Sequence, residues 1–510
     1  MSIETESSLL QAIRKEINWA EDDQNRYDID KALDYYDAKL PTPMEDDSGN
    51  DYSDVVSPEV RNAVEATLAE VMPGFYGDTP VVFLPNGPMD EKQASDETKI
   101  VNHVFLVANN GYTVLNRAFK DAMVCKTAVV RVSWEVCERV EGQRLRNVDL
   151  ATMAMIQDTV TGAEQDEQGT YTADVANRQV EEKPTVEWVP IDQLLVNSDH
   201  DETTLDNARF VAQRRQVPAS DLVAIGYDED LIQSLSHGTE DIDAYSRRHE
   251  NVENQSAHDS TRPITVAECY YRIDLDGDGI AELNRVIVAG GNKGSEKVLG
   301  YEPWDEQPFA MGVAFYAPRG WRGVSLTERL SDIQDYKSDM MRQILDAGWR
   351  NLSQRVTAVE RMVNIDDLMT SRTGGIVRVK DPAAVNPLPD VSLPHQSFAL
   401  LEQLDKMRRE AGGGAIDVAP QAQEMGADSA HGVERIMSAI EETNAMVAKN
   451  LAETLVTQIY QKLHRLLRKH WRGVISAKVQ GNWLEQVPQQ WAHRNDTDVA
   501  VGLSTGIRMR

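Results

Sequence analysis

Cysteine is the scarcest informative residue in this sequence. Its three copies, Cys125, Cys137 and Cys269, are too few and too scattered for a disulfide framework or a zinc ribbon, so a reduced setting is expected. Basic residues are also in deficit, 52 against 83 acids, for a net charge of −31. A chain of that balance is excluded from coating nucleic acid by neutralising phosphates, which needs a net basic surface. It remains suited to a passage past which nucleic acid slides without adhering. No apolar run approaches the ~20 residues that span a bilayer. The opening MSIETESSLL lacks the basic and apolar regions of a signal peptide. These absences predict a soluble intracellular protein with no membrane partner.

Catalytic signatures are missing as well. No G-x-x-x-x-G-K-[ST] occurs, and GGNKGSEK resembles it in composition alone. The ten histidines form no H-E-x-x-H. GLSTG at 502–506 matches the hydrolase elbow G-x-S-x-G, yet only four residues follow it, leaving no room for the acid and histidine that Ser504 would need. Paired carboxylates carry little information in so acidic a chain. The reading is a non-enzyme with no catalytic residue and no cofactor.

What is present begins with DLDGDGIAELNR, 274–285, which looks like a calcium loop. Asp274, Asp276 and Asp278 occupy the first, third and fifth positions and Gly279 the sixth, but the twelfth, where a bidentate glutamate belongs, is Arg285. The flanks ITVAECYYRI and AELNRVIVAG are rich in β-branched and aromatic residues, and Asp-Gly pairs between such runs mark a hairpin turn. An acidic hairpin is the favoured reading, with the three aspartates left as weak metal candidates.

Helical periodicity marks SLLQAIRKEINWAEDD, DKALDYYDAKL and SPEVRNAVEATLAEVMPGF, the last opened by Ser57 as cap and Pro58 as first helical residue. Two more helices are expected to break at Asn109-Asn110-Gly111. TAVVRVSWEVCERV reads as strand, and the polar stretch 157–183 as a long hairpin tip or mobile excursion. Strands resume at PTVEWVPIDQLLVN, and 228–260 reads as irregular. From Gly323 an amphipathic helix follows, with Ser325 and Glu328 at capping-box spacing and Leu326, Leu330, Ile333, Tyr336, Met340, Ile344 and Leu345 on one face. Met340, Met341 and the Trp349 region read as core. A β-like region, QRVTAVERMVN then GGIVRVKD, leads to the helix HQSFALLEQLDKMRREAG and a glycine-rich loop. The last long helix, 433–471, places Val433, Ile436, Met437, Ile440, Val447, Leu451, Leu455, Ile459, Leu463 and Leu466 on one face. It would span ~55 Å, a length that needs packing along most of its course.

This order of elements resembles the portal proteins of tailed bacteriophages, the head–tail connectors, most closely the P22-like short-tailed type. YSDVVSPEVRNAVEATLAEVMPGF, GYTVLNRAFKDAMVCKTAVVRVSWE, RIDLDGDGIAE, GVSLTERLSDIQDYKSDMMRQILD and GGIVRVKD carry the likeness, which extends over nearly the whole chain. It implies an α+β portal fold: a mixed wing at 1–322, a first stem helix at 323–351, a clip at 352–395 and a second stem helix at 396–411. A tunnel loop at 412–432, a long wing helix at 433–471 and the start of a C-terminal region at 472–510 complete it. VGLSTGIRMR stands where relatives continue into further helices, so a crown is expected to be short, missing or beyond these residues.

The resemblance further implies a homo-dodecameric ring at a capsid vertex of the virion, assembled in the host cytoplasm. Double-stranded DNA would pass through it during packaging and ejection. The implied partners are the terminase large subunit, head–tail adaptor and tail proteins, and the major capsid and scaffolding proteins. The alternative is another non-enzymatic head–tail structural or adaptor protein. Gly412, Gly413, Gly414, Asp417, Glu424, Gly426, Asp428 and Gly432 would form the DNA-facing loop, or an ordinary helix connection. Lys462, Arg465, Arg468, Lys469 and Arg472 either complement the helix C-terminus and nearby acids or contact DNA or an adjacent subunit.

Overall fold

The N-terminal periodicity forms the helices Ile3–Gln24, Ile29–Tyr36, Glu59–Val71, Glu91–His103 and Gly111–Val124. They belong to a computed structural model that describes residues 3–24, 29–43, 53–77, 79–88, 90–148, 160–165, 171–235, 259–275, 277–290, 296–352, 356–359, 361–369, 376–387, 396–412, 443–479, 482–494 and 499–501. The expected break falls at Asn110, whose φ of 50° and ψ of 45° lie in the left-handed region that asparagine tolerates. The start of the third helix moves by one residue. Pro58 is its cap and Glu59 its first residue. Ser57 is engaged elsewhere: its N–H donates to Ser338 Oγ at 3.0 Å and its hydroxyl to Glu59 Oε1 at 2.5 Å.

Strand β1 (Val81–Phe83) packs beside the fourth of these helices, where Asn102 Nδ2 donates to Val81 O at 2.8 Å. β2 (Ala128–Val148) outruns its sequence motif. It pairs antiparallel with β4 (Tyr171–Val189) from Val129↔Val189 to Val148↔Tyr171, and β3 (Val160–Gln165) joins β4 at the far end. The described part of 157–183 is therefore strand. A polar sequence can form such a ladder because the ladder bonds satisfy the backbone whatever the side chains.

Period-two alternation then builds an antiparallel sheet in the order β5 (Leu194–Val196), β6 (Phe210–Pro218), β7 (Pro263–Ile273), β8 (Glu282–Ala289) and β9 (Lys297–Pro303). One face carries Phe210, Ala212, Cys269, Val286 and Val288 against Leu9, Ile13 and Ala20 of the first helix. The opposite face divides. Val211, Tyr270 and Leu283 join the main core, while Ile264, Val266 and Ala289 lie under the helices Ala219–Ile225 and Glu229–Gln233.

The acidic stretch is the turn joining β7 to β8, with Ile273 opposite Glu282. Asp274 accepts from the N–H of Gly277 at 2.6 Å and of Gly279 at 2.8 Å. Both glycines have positive φ, 82° and 87°, which a β-carbon would strain. Asp278 accepts from Ile280 N at 2.7 Å, and Asp276 lies outside the described residues. Arg285 sits in the ladder opposite Tyr270, so its cation serves the sheet.

That service is an ion cluster holding the two large sheets together. Arg131 of β2 donates to Glu268 of β7 through both terminal nitrogens, at 2.7 and 2.9 Å, and to Gln213 at 2.9 Å. Tyr270 and Arg285 also donate to Glu268, at 2.7 and 2.6 Å. Arg285 reaches Glu302 at 2.6 Å and lies over the Trp304 ring. Burial alone would raise the Glu268 pKa, but Arg131 and Arg285 outweigh it and bring it down to about 2.

β10 (Phe309–Gly312) pairs with β2 and is an edge of its four-stranded sheet. The long C-terminal helix closes that edge. Residues 443–451 are helical, a π-turn follows at Ala452–Val456, and the helix Thr457–His470 completes it; 433–442 lie outside the described residues. Side chains of this helix meet the backbone of the strand and of the residues just past it: Met311 N donates to Gln458 Oε1 at 3.3 Å, Val313 N to Thr454 Oγ1 at 3.2 Å and Asn450 Nδ2 to Ala314 O at 2.9 Å. Covering an edge this way removes a template for unwanted pairing. A β-carbon at Gly312 would come within 2.5 Å of Leu455 Cβ, so glycine sets how closely strand and helix approach. β13 (Ile475–Val479) and β14 (Asn482–Gln486) form a hairpin, and β15 (Val499–Val501) pairs with β1. Buried Arg494 anchors this end to Glu97 at 2.8 Å and to Asp90. The whole is a mixed α+β chain.

Glu268→Gln would leave buried Arg131 without its counter-charge and is expected to cost about 3–5 kcal/mol. Because the folded pKa is depressed, the native glutamate's contribution is complete above its unfolded pKa of ~4.3 and fades as pH falls toward 2. Thermal melts at stepped pH should show that acid dependence in the native protein and a flatter one in the variant.

Candidate assembly surface

The helix Leu326–Leu352 begins as its sequence requires, with Glu328 N donating to Ser325 Oγ at 3.1 Å. Leu326, Leu330 and Ile333 are buried in the main core. Past that turn the buried residues become polar: Gln334, Ser338 and Arg342, in steps of four along one face. They face N-terminal backbone that has no ladder of its own. Gln334 donates to Tyr35 O at 3.1 Å and Leu40 O at 3.0 Å, and accepts from Val60 N at 3.1 Å. Arg342 donates to Val55 O at 2.9 Å and Pro41 O at 2.5 Å. Asp346 accepts from Ser53 N at 2.9 Å. Apart from Tyr35 O, which also accepts from Ala38 N at 3.1 Å, these bonds satisfy peptide groups that would otherwise be stranded against the helix.

Charge ties in the helix Gln396–Gly412. Lys337 lies 2.7 Å from Glu59 and 2.6 Å from Asp405, and Arg408 lies 3.2 Å from Glu59. Glu59, Lys337 and Arg408 thus join three helices around one buried carboxylate. Tyr35 donates to Asp335 at 3.0 Å, and burial followed by that carboxylate pushes the phenol up to about 12.

With polar residues inside, apolar ones remain outside. Tyr336 and Leu345, expected to pack, are exposed, and Trp349, expected in the core, is 67% exposed. Trp349 follows Ser338 and Arg342 on the same face, beyond the last of the bonds to 53–60. Between the two helices β11 (Val356–Ala358) pairs with β12 (Val385–Pro387), and the short helix Ile365–Met369 intervenes. The strand reading of GGIVRVKD is corrected: its described residues make one bridge, Val363↔Val379. Arg378 turns aside there to hold Asp367 at 2.5 Å. This unit exposes Val359, Met362, Ile365, Met369, Ile376 and Val377, and the second helix adds Phe398, Leu400 and Met407. Of the 30 large apolar side chains exposed among the described residues, 14 lie between 336 and 407. Large apolar side chains exposed in this number are a feature of surfaces that other macromolecules cover.

Of the residues assigned to the glycine-rich loop, Gly412 is the last residue of the second helix. Gly413, Gly414, Asp417, Glu424, Gly426, Asp428 and Gly432 lie outside the described residues. The basic cluster is divided by its surroundings. Lys462 is buried against Asp206 at 2.6 Å, Glu306 at 3.3 Å and Gln307 O at 2.8 Å. Arg465 pairs with Glu306 and Lys469 with Asp305. Arg468 and Arg472 have no partner among the described residues. No group of three or more His, Cys, Asp or Glu among those residues could hold a metal, and no described helix is long and apolar enough to cross a membrane. Gln334, Ser338, Arg342 and Glu59 went unnoticed in the sequence. The four-residue spacing of the first three was the available sign.

A protein-family model described as "Phage SU10 portal protein" matches residues 9–510. No curated protein matches the chain.

Replacing Leu345 and Trp349 together with glutamate puts two charges on the exposed face without touching the polar row. Surface changes of this kind shift stability by only about 0.5 kcal/mol. The double variant should therefore melt as the native chain does, while its self-association weakens by at least about tenfold in concentration. Calorimetry and sedimentation velocity on the same samples check both halves.

Proposed function

The chain belongs to the phage SU10 portal protein family, and from that membership we propose that copies of it close into a ring at one capsid vertex through which double-stranded DNA is packaged and ejected. A portal protein is a structural component of the phage head. The observation that carries the ring reading is the apolar surface between 336 and 407, which the protomer leaves uncovered. A single chain gains nothing from exposing Trp349, Ile376 and Phe398, whereas a cyclic assembly buries such a face once per copy.

In this reading 1–322 and 433–471 form the wing, 323–351 and 396–411 the stem, and 352–395 the clip. The clip would pair with neighbouring copies and present the surface on which the terminase large subunit, and later the tail adaptors, dock. Residues 412–432 would reach into the channel. Their glycines supply backbone freedom for a loop facing a duplex whose symmetry differs from that of the ring. Asp417, Glu424 and Asp428 would keep phosphate from adhering, so that DNA slides. The net charge of −31 supports the same low-adhesion channel.

Removing Ala419 to Gly426 is the test. Ring assembly should be unchanged, because it rests on the helices and clip. Late packaging or retention of DNA should fall, because the shortened loop no longer reaches the duplex. Normal packaging and retention of full-length DNA by the shortened protein would reduce the loop to a connector.

A further inference from the structure

The helix Gln396–Gly412 lies along the helix Leu326–Leu352 with little apolar burial. Among its described side chains Leu404 alone is fully buried, and it joins none of the three hydrophobic clusters. Ala411 touches the main core as a partly buried residue. Phe398, Leu400 and Met407 are exposed. By contrast the helix Glu59–Val71 buries Val60, Val64, Leu68 and Val71 in that core. The hydrophobic effect therefore holds Gln396–Gly412 weakly, since its strength follows the apolar area removed from water.

Charge supplies the rest through four groups. Glu59 and Lys337 belong to the body, and Asp405 and Arg408 to the helix. Lys337 Nζ lies 2.7 Å from Glu59 Oε1 and 2.6 Å from Asp405 Oδ1, and Arg408 Nη1 lies 3.2 Å from Glu59 Oε2. The docked set is neutral. If the helix lifts away, each side stays neutral as well. Glu59 keeps Lys337, and Asp405 keeps Arg408, three residues on along its own helix.

The docked position also has a defect. Glu59 is 3% exposed, and its Oε2 is buried without a hydrogen bond, because Arg408 approaches it out of line. A buried carboxylate oxygen met by charge alone is costly, and release would give it water. Little apolar contact, balanced charge on both sides and an oxygen that gains by release together lower the cost of separation.

We propose that Gln396–Gly412 is a detachable strut, docked on the body through Glu59, Lys337, Asp405 and Arg408 and released as a unit when those pairs part. Gly412, and with it the chain that continues from it, moves with the strut. The proposal concerns a single copy and does not rest on the ring reading.

The test is hydrogen exchange of the full chain, read peptide by peptide. A free helix of this length is marginal in water, so release opens its amides. Peptides from 398–411 should exchange at least about tenfold faster than those from 330–342. Raising the salt from about 0.02 to 1 M should speed the former several-fold by screening and leave the latter unchanged. Arg408→Gln should speed 398–411 by about tenfold more. Arg408→Lys should stay near the native rate, because the charge is kept and no aligned hydrogen bond is lost. Exchange in 398–411 that ignores salt or Arg408→Gln overturns the proposal. So does equal acceleration of 398–411 and 330–342, which makes the helix part of one cooperative unit with the body. Acceleration by Arg408→Lys as large as by Arg408→Gln overturns it as well, since shape rather than charge would then hold the strut.

Discussion

The row Gln334, Ser338 and Arg342 is the constraint on which the rest of the architecture depends. Segments 35–41 and 53–60 cross the helix 326–352 without pairing to a strand, so the peptide groups of Leu40, Pro41, Val55, Ser57 and Val60 take side-chain partners from it. A helix that supplies them must spend its inward face on polar residues. Its remaining apolar residues then have no core of their own to enter. Tyr336, Leu345 and Trp349 are left exposed. Satisfying the chain's own backbone and leaving an apolar surface exposed are two sides of one arrangement.

Two further devices keep the body rigid enough to present that surface. The Arg131–Glu268–Arg285 cluster ties the two sheets together through one buried carboxylate held by two arginines. Removing one member would cost more than the cluster contributes over an apolar filling. The π-turn at 452–456 lies where Thr454 and Asn450 meet the β10 edge. A π-turn inserts one residue into the helical count, and here the register change falls beside the strand that Gly312 lets the helix approach.

Much of this was legible in the residues, and the failures share a cause. The helices, the Asn110 break, the Ser325 cap and the hairpin at 274–285 each follow from local rules of backbone conformation and hydrogen bonding. So does the long helix, among its described residues. Periodicity failed where partners are distant in sequence. Apolar spacing places Tyr336 and Leu345 inside, and residue type places Trp349 there, because nothing local announces that residues 274 to 301 positions away bind to the buried face of this helix. Ser57 was read as a cap because its tie to Ser338 spans that separation as well. For the polar run 157–183, composition offers a long hairpin tip or a mobile excursion, and the described residues continue the hairpin as strand, because a ladder does not require apolar residues. In the basic cluster, complementing nearby acids is one of the two readings the sequence offers, and Lys462, Arg465 and Lys469 do meet carboxylates of the same chain.

The central claim is that the apolar surface from 336 to 407 exists to be covered by further copies. The mass of the purified, unmodified chain in native solution tests it most directly. One dominant closed multiple of the chain mass, stable on dilution into the micromolar range, is the predicted result. A single-chain mass at that concentration, with the surface left open to water, would contradict it.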